Sequence, residues 1–125
     1  MEDKLALRIR LFRESGQVRP EVAAFVTDEL TALDTEGFAV SEETAGMLTS
    51  HLMMALTRLL DGEPLAESPG DAHMEAELAE HPEAVERARS VAARAHEALG
   101  AALPGSEVGF LAMHLAVLAQ RSPAT

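Results

Sequence analysis

A chain of 125 residues has room for one domain of ordinary size, and its 47% apolar content is enough to build a core. With 21 acidic against 10 basic side chains, the formal net charge is −11, which argues against direct binding to nucleic acid or to an anionic membrane surface. The absence of Cys excludes disulfides and thiolate metal sites. Four Phe, with no Trp or Tyr, indicate an aliphatic core carried by helices.

The first segment, residues 4–14, can be interpreted in two ways. Its apolar residues from Leu5 to Phe12 include the i, i+4, i+7 spacing of an amphipathic helix, but they also alternate as a strand would. A lone strand would have no partner, so a helix is predicted here, ended by Gly16 as a C-cap.

Two longer helices follow. Pro20 and an acidic residue in the first turn begin one of them, and its apolar stripe is interrupted only by Glu29. Ser41 is a good N-cap for the next, which keeps its helical spacing as far as the Asp-Gly pair at 61–62.

The second half of the chain is divided by proline and glycine. Residues 61–72 contain two Pro and two Gly and predict the one long loop, followed by a short segment, 73–80, that fits two helical turns. Pro82 begins another helix that ends at Gly100, and a last apolar helix runs from about residue 104 to 121. The sequence therefore predicts one all-α domain over 1–125, an antiparallel bundle of about five helices.

The histidines are the side chains that merit chemical attention. His51 and His114 each interrupt an apolar helical run, whereas the other three, His73, His81 and His96, lie in polar stretches. No metal-binding motif, phosphate loop or nucleophile motif accompanies them, so no catalytic residue, metal site or cofactor is predicted. From the residues alone, a histidine of this kind is more often a packed core residue than a functional one.

Two motifs change that interpretation. The stretch LTSHLMMALTRLLDGEPL around His51 and the stretch ending LPGSEVGFLAMHLAVL around His114 resemble the two halves of the PRD, the regulatory domain of bacterial phosphotransferase-system-controlled regulators. The histidines also stand at close to the family's usual interval, and the resemblance covers about residues 17–120.

The resemblance implies a five-helix PRD-like domain that forms homodimers and is phosphorylated on His51 and His114 by HPr or a sugar-specific transport component. Arg58 would contact the phosphoryl group, and Glu107 would orient a histidine. The protein would then be a cytoplasmic switch acting on a regulator protein, and not an enzyme. Residues 1–19 are short and only weakly basic, so a stand-alone member without its own RNA- or DNA-binding module is expected.

Two alternatives remain at this point. One is a degenerate PRD that no longer accepts phosphate and serves as a scaffold, a reading prompted by Ser50, which stands where many members have an acidic residue. The other is a metal-binding enzyme that uses His51, His114 and nearby acids. Neither the sugar or pathway nor the output partner follows from the sequence.

Overall fold

The computed structural model describes residues 1–63 and 72–122, and this part of the chain is an all-α bundle without strands. The helices are α1 (Asp3–Glu14), α2 (Pro20–Thr35), α3 (Glu42–Leu60), α4 (Ala72–Ala79), α5 (Pro82–Leu99) and α6 (Gly105–Arg121). The all-α prediction is confirmed. The described residues form six helices where about five were predicted, because the short segment after the loop forms α4.

The helix ends follow the residues that predicted them. At the start of α3, Ser41 Oγ accepts a hydrogen bond from the backbone N–H of Thr44, and the Thr44 hydroxyl accepts one from the backbone N–H of Ser41, which completes a capping box. Pro20 and Pro82 occupy the first turns of α2 and α5. Gly100 ends α5 with a φ of 72°, a left-handed conformation that glycine adopts at little cost.

The choice between helix and strand for the first segment is settled by burial. Leu5 and Ile9, four residues apart, are buried, whereas Leu7 and Leu11 are exposed. A strand would have placed all four on the same face, because its side chains alternate. The segment is the helix α1, and it packs against α2 and α3.

Helix α3 lies at the centre of the bundle, where it contacts α1, α2 and α6. Among the described helices, α5 and α6 make the most extensive contact with each other. The largest fully buried side chains come from α1, the α1–α2 connection, α2, α3 and α6; they are Leu5, Val18, Val22, Val26, Thr49, Met53, Leu56 and Leu118. Not every apolar residue of α3 is in the core, because Met47 is 76% exposed.

The polar interruption of α2 has a partner on α5. Glu29 accepts two hydrogen bonds from the guanidinium of Arg94, at 2.7 and 2.8 Å. About two helical turns further along α2, Glu36 pairs with Arg87. These ion pairs join α2 to α5 at the edge of the core.

The predicted long loop, 61–72, is described only at its ends. Asp61 and Gly62 form a turn after α3, and α4 begins at Ala72. The rest of the predicted loop, 64–71, lies outside the described residues.

Candidate functional site

His51 lies in the middle of α3, on the side that faces α6. Its side chain is 40% exposed, so the imidazole is accessible to solvent even though Leu52 beside it is buried. The Nε2 atom of His51 is 2.6 Å from Oε2 of Glu107. Because a carboxylate only accepts hydrogen bonds, Nε2 carries the proton of this bond, and the lone pair of the neutral form of the ring lies on Nδ1.

Glu107 is well placed to hold this ring. It lies in the first turn of α6, where the exposed backbone N–H groups favour a negative side chain. Only 17% of its side chain is exposed. The carboxylate therefore lies between the amino end of α6 and the imidazole of His51.

Phe110 brings the second histidine into the same cluster. Its ring centroid is 4.0 Å from that of His51 and 4.4 Å from that of His114, with tilts of 30° and 49°. Since Glu107, Phe110 and His114 are spaced three and four residues apart, they share one face of α6, and that face meets His51 on α3. We call His51, Glu107, Phe110 and His114 the two-histidine cluster.

The electrostatics of the cluster keep His114 neutral. Burial lowers the pKa of His114 below its ordinary value, and the positive charge of a protonated His51 lowers it further. A neutral imidazole has one ring nitrogen with an available lone pair, which is the form that can act as a nucleophile. At neutral pH the cluster therefore offers a second nucleophilic nitrogen near the first.

The α1 helix reaches the edge of this cluster, which the sequence did not indicate. Nη1 of Arg8 donates a hydrogen bond of 2.8 Å to the Oγ atom of Ser50, the residue before His51, and Nε of Arg8 bonds the carboxylate of Glu42 at 2.9 Å. A Cβ atom built on Gly46 would lie 3.3 Å from the Arg8 guanidinium, so a glycine inside α3 leaves room for it.

The structure does not bring Arg58 to the imidazoles. Its Nε atom is 3.4 Å from the carboxylate of Glu63, and its Cα lies about 10 Å further along the α3 axis than that of His51, because seven residues separate them. Contact between Arg58 and a phosphoryl group therefore stays a prediction.

The remaining histidines lie apart from the cluster. His96 is exposed on α5, as predicted for a surface residue, and His81 directly precedes α5 and is half-buried. The side chain of His73 lies outside the described residues. Among the side chains that the structure describes, in residues 1–63 and 75–122, there is no group of three or more His, Asp and Glu arranged to hold a metal ion.

Among the described helices, none combines the length and the apolar character needed to cross a membrane. The PRD domain family model matches residues 34–118, which is more than half of the chain and includes every residue of the two-histidine cluster. The matched range leaves out α1 and most of α2. Searches of curated proteins and of solved structures give no match.

Proposed function

Since this chain belongs to the PRD domain family, we propose that it is a phosphotransferase-system regulatory domain whose two-histidine cluster accepts phosphoryl groups from HPr or a sugar-specific transport component. The observation that carries the proposal is the convergence of His51 and His114 on Phe110, although 63 residues separate them in the chain. Two core histidines that served packing alone would have no reason to share one accessible surface.

The chemistry follows from the hydrogen bond between Glu107 and His51. The Nδ1 lone pair of His51 attacks the phosphorus of a phosphohistidine donor, the donor's P–N bond breaks, and the donor imidazole leaves with that electron pair and takes up a proton. The Nε2 proton of His51 stays hydrogen-bonded to Glu107, which stabilises the positive charge that develops on the ring. The domain is the substrate of this transfer and not its catalyst.

The regulatory output belongs to the same proposal. A phosphoryl group adds roughly two negative charges and three acceptor oxygens to the two-histidine cluster, whose other groups are uncharged rings and the carboxylate of Glu107. Such a change biases an association equilibrium, here between two copies of the chain or between the chain and a regulator protein. Sedimentation of the unmodified protein over a range of concentrations tests the homodimer, and a monomer at all concentrations would remove dimerisation from the proposal.

The phosphorylation claim is tested by incubating the protein with enzyme I, HPr and phosphoenolpyruvate and measuring the added mass. The wild type and His96→Ala should both be labelled, because His96 is an exposed histidine on another helix. The double variant His51→Ala/His114→Ala should not be labelled. No labelling of the wild type by a carrier that phosphorylates another PRD would reject the proposal.

The accessibility of His51 also bears on the scaffold alternative, which would be favoured by burial of both imidazoles. With 40% of its side chain exposed, His51 can be reached by a partner protein. This observation favours an acceptor over a scaffold that has lost phosphorylation.

A further inference from the structure

We propose that His51 and His114 form one shared acceptor site that carries a single phosphoryl group at a time. The inference rests on the proposed function, since it requires both rings to be acceptors. Its basis is the contact that both rings make with Phe110 and the charges that surround them.

The two rings are too close to be phosphorylated independently. Phe110 contacts both, so the distance between the two imidazole centroids cannot exceed the sum of the 4.0 and 4.4 Å contacts. That limit is comparable with the Debye length of about 8 Å at physiological ionic strength, so salt screens charges on the two rings from each other only in part. Two phosphoryl groups of roughly two negative charges each, attached to rings this close, would repel each other.

The surrounding charges add to the repulsion. Glu107 already places one carboxylate against His51. Arg58 of α3 and Arg8 of α1, which bonds the residue before His51, are each engaged with a carboxylate, Arg58 with Glu63 and Arg8 with Glu42. With a net charge of −11, the chain as a whole also disfavours a further increase in negative charge.

The first phosphoryl group also removes the second nucleophile. A dianion beside the remaining imidazole favours the protonated form of that ring. An imidazolium has hydrogens on both nitrogens and no lone pair with which to attack phosphorus. Protonation of the second ring therefore neutralises part of the new charge and blocks the second transfer at the same time.

The test uses phosphoramidate, a small donor that needs no carrier protein. The lone pair of a ring nitrogen forms the N–P bond while the P–N bond of phosphoramidate breaks, and the amino group of phosphoramidate leaves with that electron pair as ammonia, which takes a proton from water to become ammonium. To count groups at the cluster alone, the protein is a full-length background variant with His73→Gln, His81→Gln and His96→Gln. Intact-mass measurement at neutral to mildly alkaline pH then follows the number of phosphoryl groups over time.

In this background the mass of the protein should increase by one phosphoryl group, and the second group should be added at least tenfold more slowly than the first. His51→Gln and His114→Gln, each made singly in the background, should still accept one group, and the double variant none. Two groups added at similar rates would overturn the inference, as would the failure of either single variant to be labelled, because the site would then not be shared.

The outcome is separable from that of the proposed function. If phosphoramidate adds one group and HPr adds none, phosphorylation by the carrier is rejected and the shared site stands. If HPr labels the cluster while phosphoramidate adds two groups readily, the shared site is rejected and phosphorylation by the carrier stands.

Discussion

At the scale of single residues, the sequence indicated His51 and His114 as candidate residues, but it did not indicate which side chains contact them. His51 and Glu107 are 56 positions apart, and their hydrogen bond depends on how α3 packs against α6, which no local spacing encodes. The resemblance implied that Glu107 orients a histidine, and the histidine to which Glu107 is hydrogen-bonded is His51. Phe110 was recognised only as an apolar residue of α6, although it contacts both rings.

The coupling between the two rings can be measured without any phosphorylation. Burial and the charge of His51 lower the pKa of His114, so His51→Gln should raise the pKa of His114 toward the ordinary value. Titration of the histidine ring protons by NMR measures this shift. His96→Gln, which removes an exposed histidine, is the matched control and should leave the pKa of His114 unchanged; an equal value in wild type and His51→Gln would show that the rings are not coupled.

The same depressed pKa makes the fold sensitive to acid. Because the unfolded chain binds a proton at this position more readily than the folded one, the stability that His114 contributes is present above its ordinary pKa of about 6.5 and is lost as the pH falls below it. Urea unfolding at pH 7 and pH 5 should show a smaller loss of stability for His114→Gln than for the wild type. A larger loss in the variant would contradict the assignment.

Two buried threonines of α3 differ in their partners and so in their expected effects. Thr49 Oγ1 is fully buried with no hydrogen-bond partner in the described part of the chain, whereas Thr57 Oγ1 accepts a hydrogen bond from the backbone N–H of Arg19. Thr49→Val should therefore raise the free energy of unfolding by about 1 kcal/mol, and Thr57→Val should lower it by about the same amount. Denaturant unfolding measures both, and equal effects would contradict the difference in hydrogen bonding.

At the scale of the elements, the helix boundaries were predictable because their signals are local. Ser41, Pro20, Pro82 and Gly100 each act within one turn of their own position, and each stands at a helix end in the structure. The exposure of Met47 was not predictable, because helical spacing alone does not say where a neighbouring helix stops covering the face. The attachment of α1 to α3 was not predictable either, because it depends on hydrogen bonds from Arg8 to Glu42 and Ser50, which lie 34 and 42 residues away in the sequence.

The attachment of α1 to α3 gives a prediction with an internal control. Arg8→Met removes hydrogen bonds to Glu42 and Ser50 from a partly buried position, so the stability should fall by about 1 kcal/mol and amide exchange in α1 should accelerate. Arg10→Met removes only a more exposed pair with Glu14 at 3.8 Å on the same helix and should change little. Equal exchange rates in the two variants would show that Arg8 does not anchor α1.

At the scale of the whole molecule, an acidic helical bundle presents one compact surface on which two histidines meet. Because α3 packs against α6, a modification at the cluster would act on the central helix of the fold. The fold class followed from the sequence, and so did the choice of His51 and His114 as candidate residues. Their shared contact with Phe110 required the tertiary structure.

The most direct test of the account locates the phosphoryl group in the wild-type protein. After incubation with enzyme I, HPr and phosphoenolpyruvate, peptide mass spectrometry at neutral pH should find the phosphoryl group on peptides that contain His51 or His114. A phosphoryl group found only on His73, His81 or His96, or on no peptide when the same carrier modifies another PRD, would contradict the central claim that the two-histidine cluster is the acceptor.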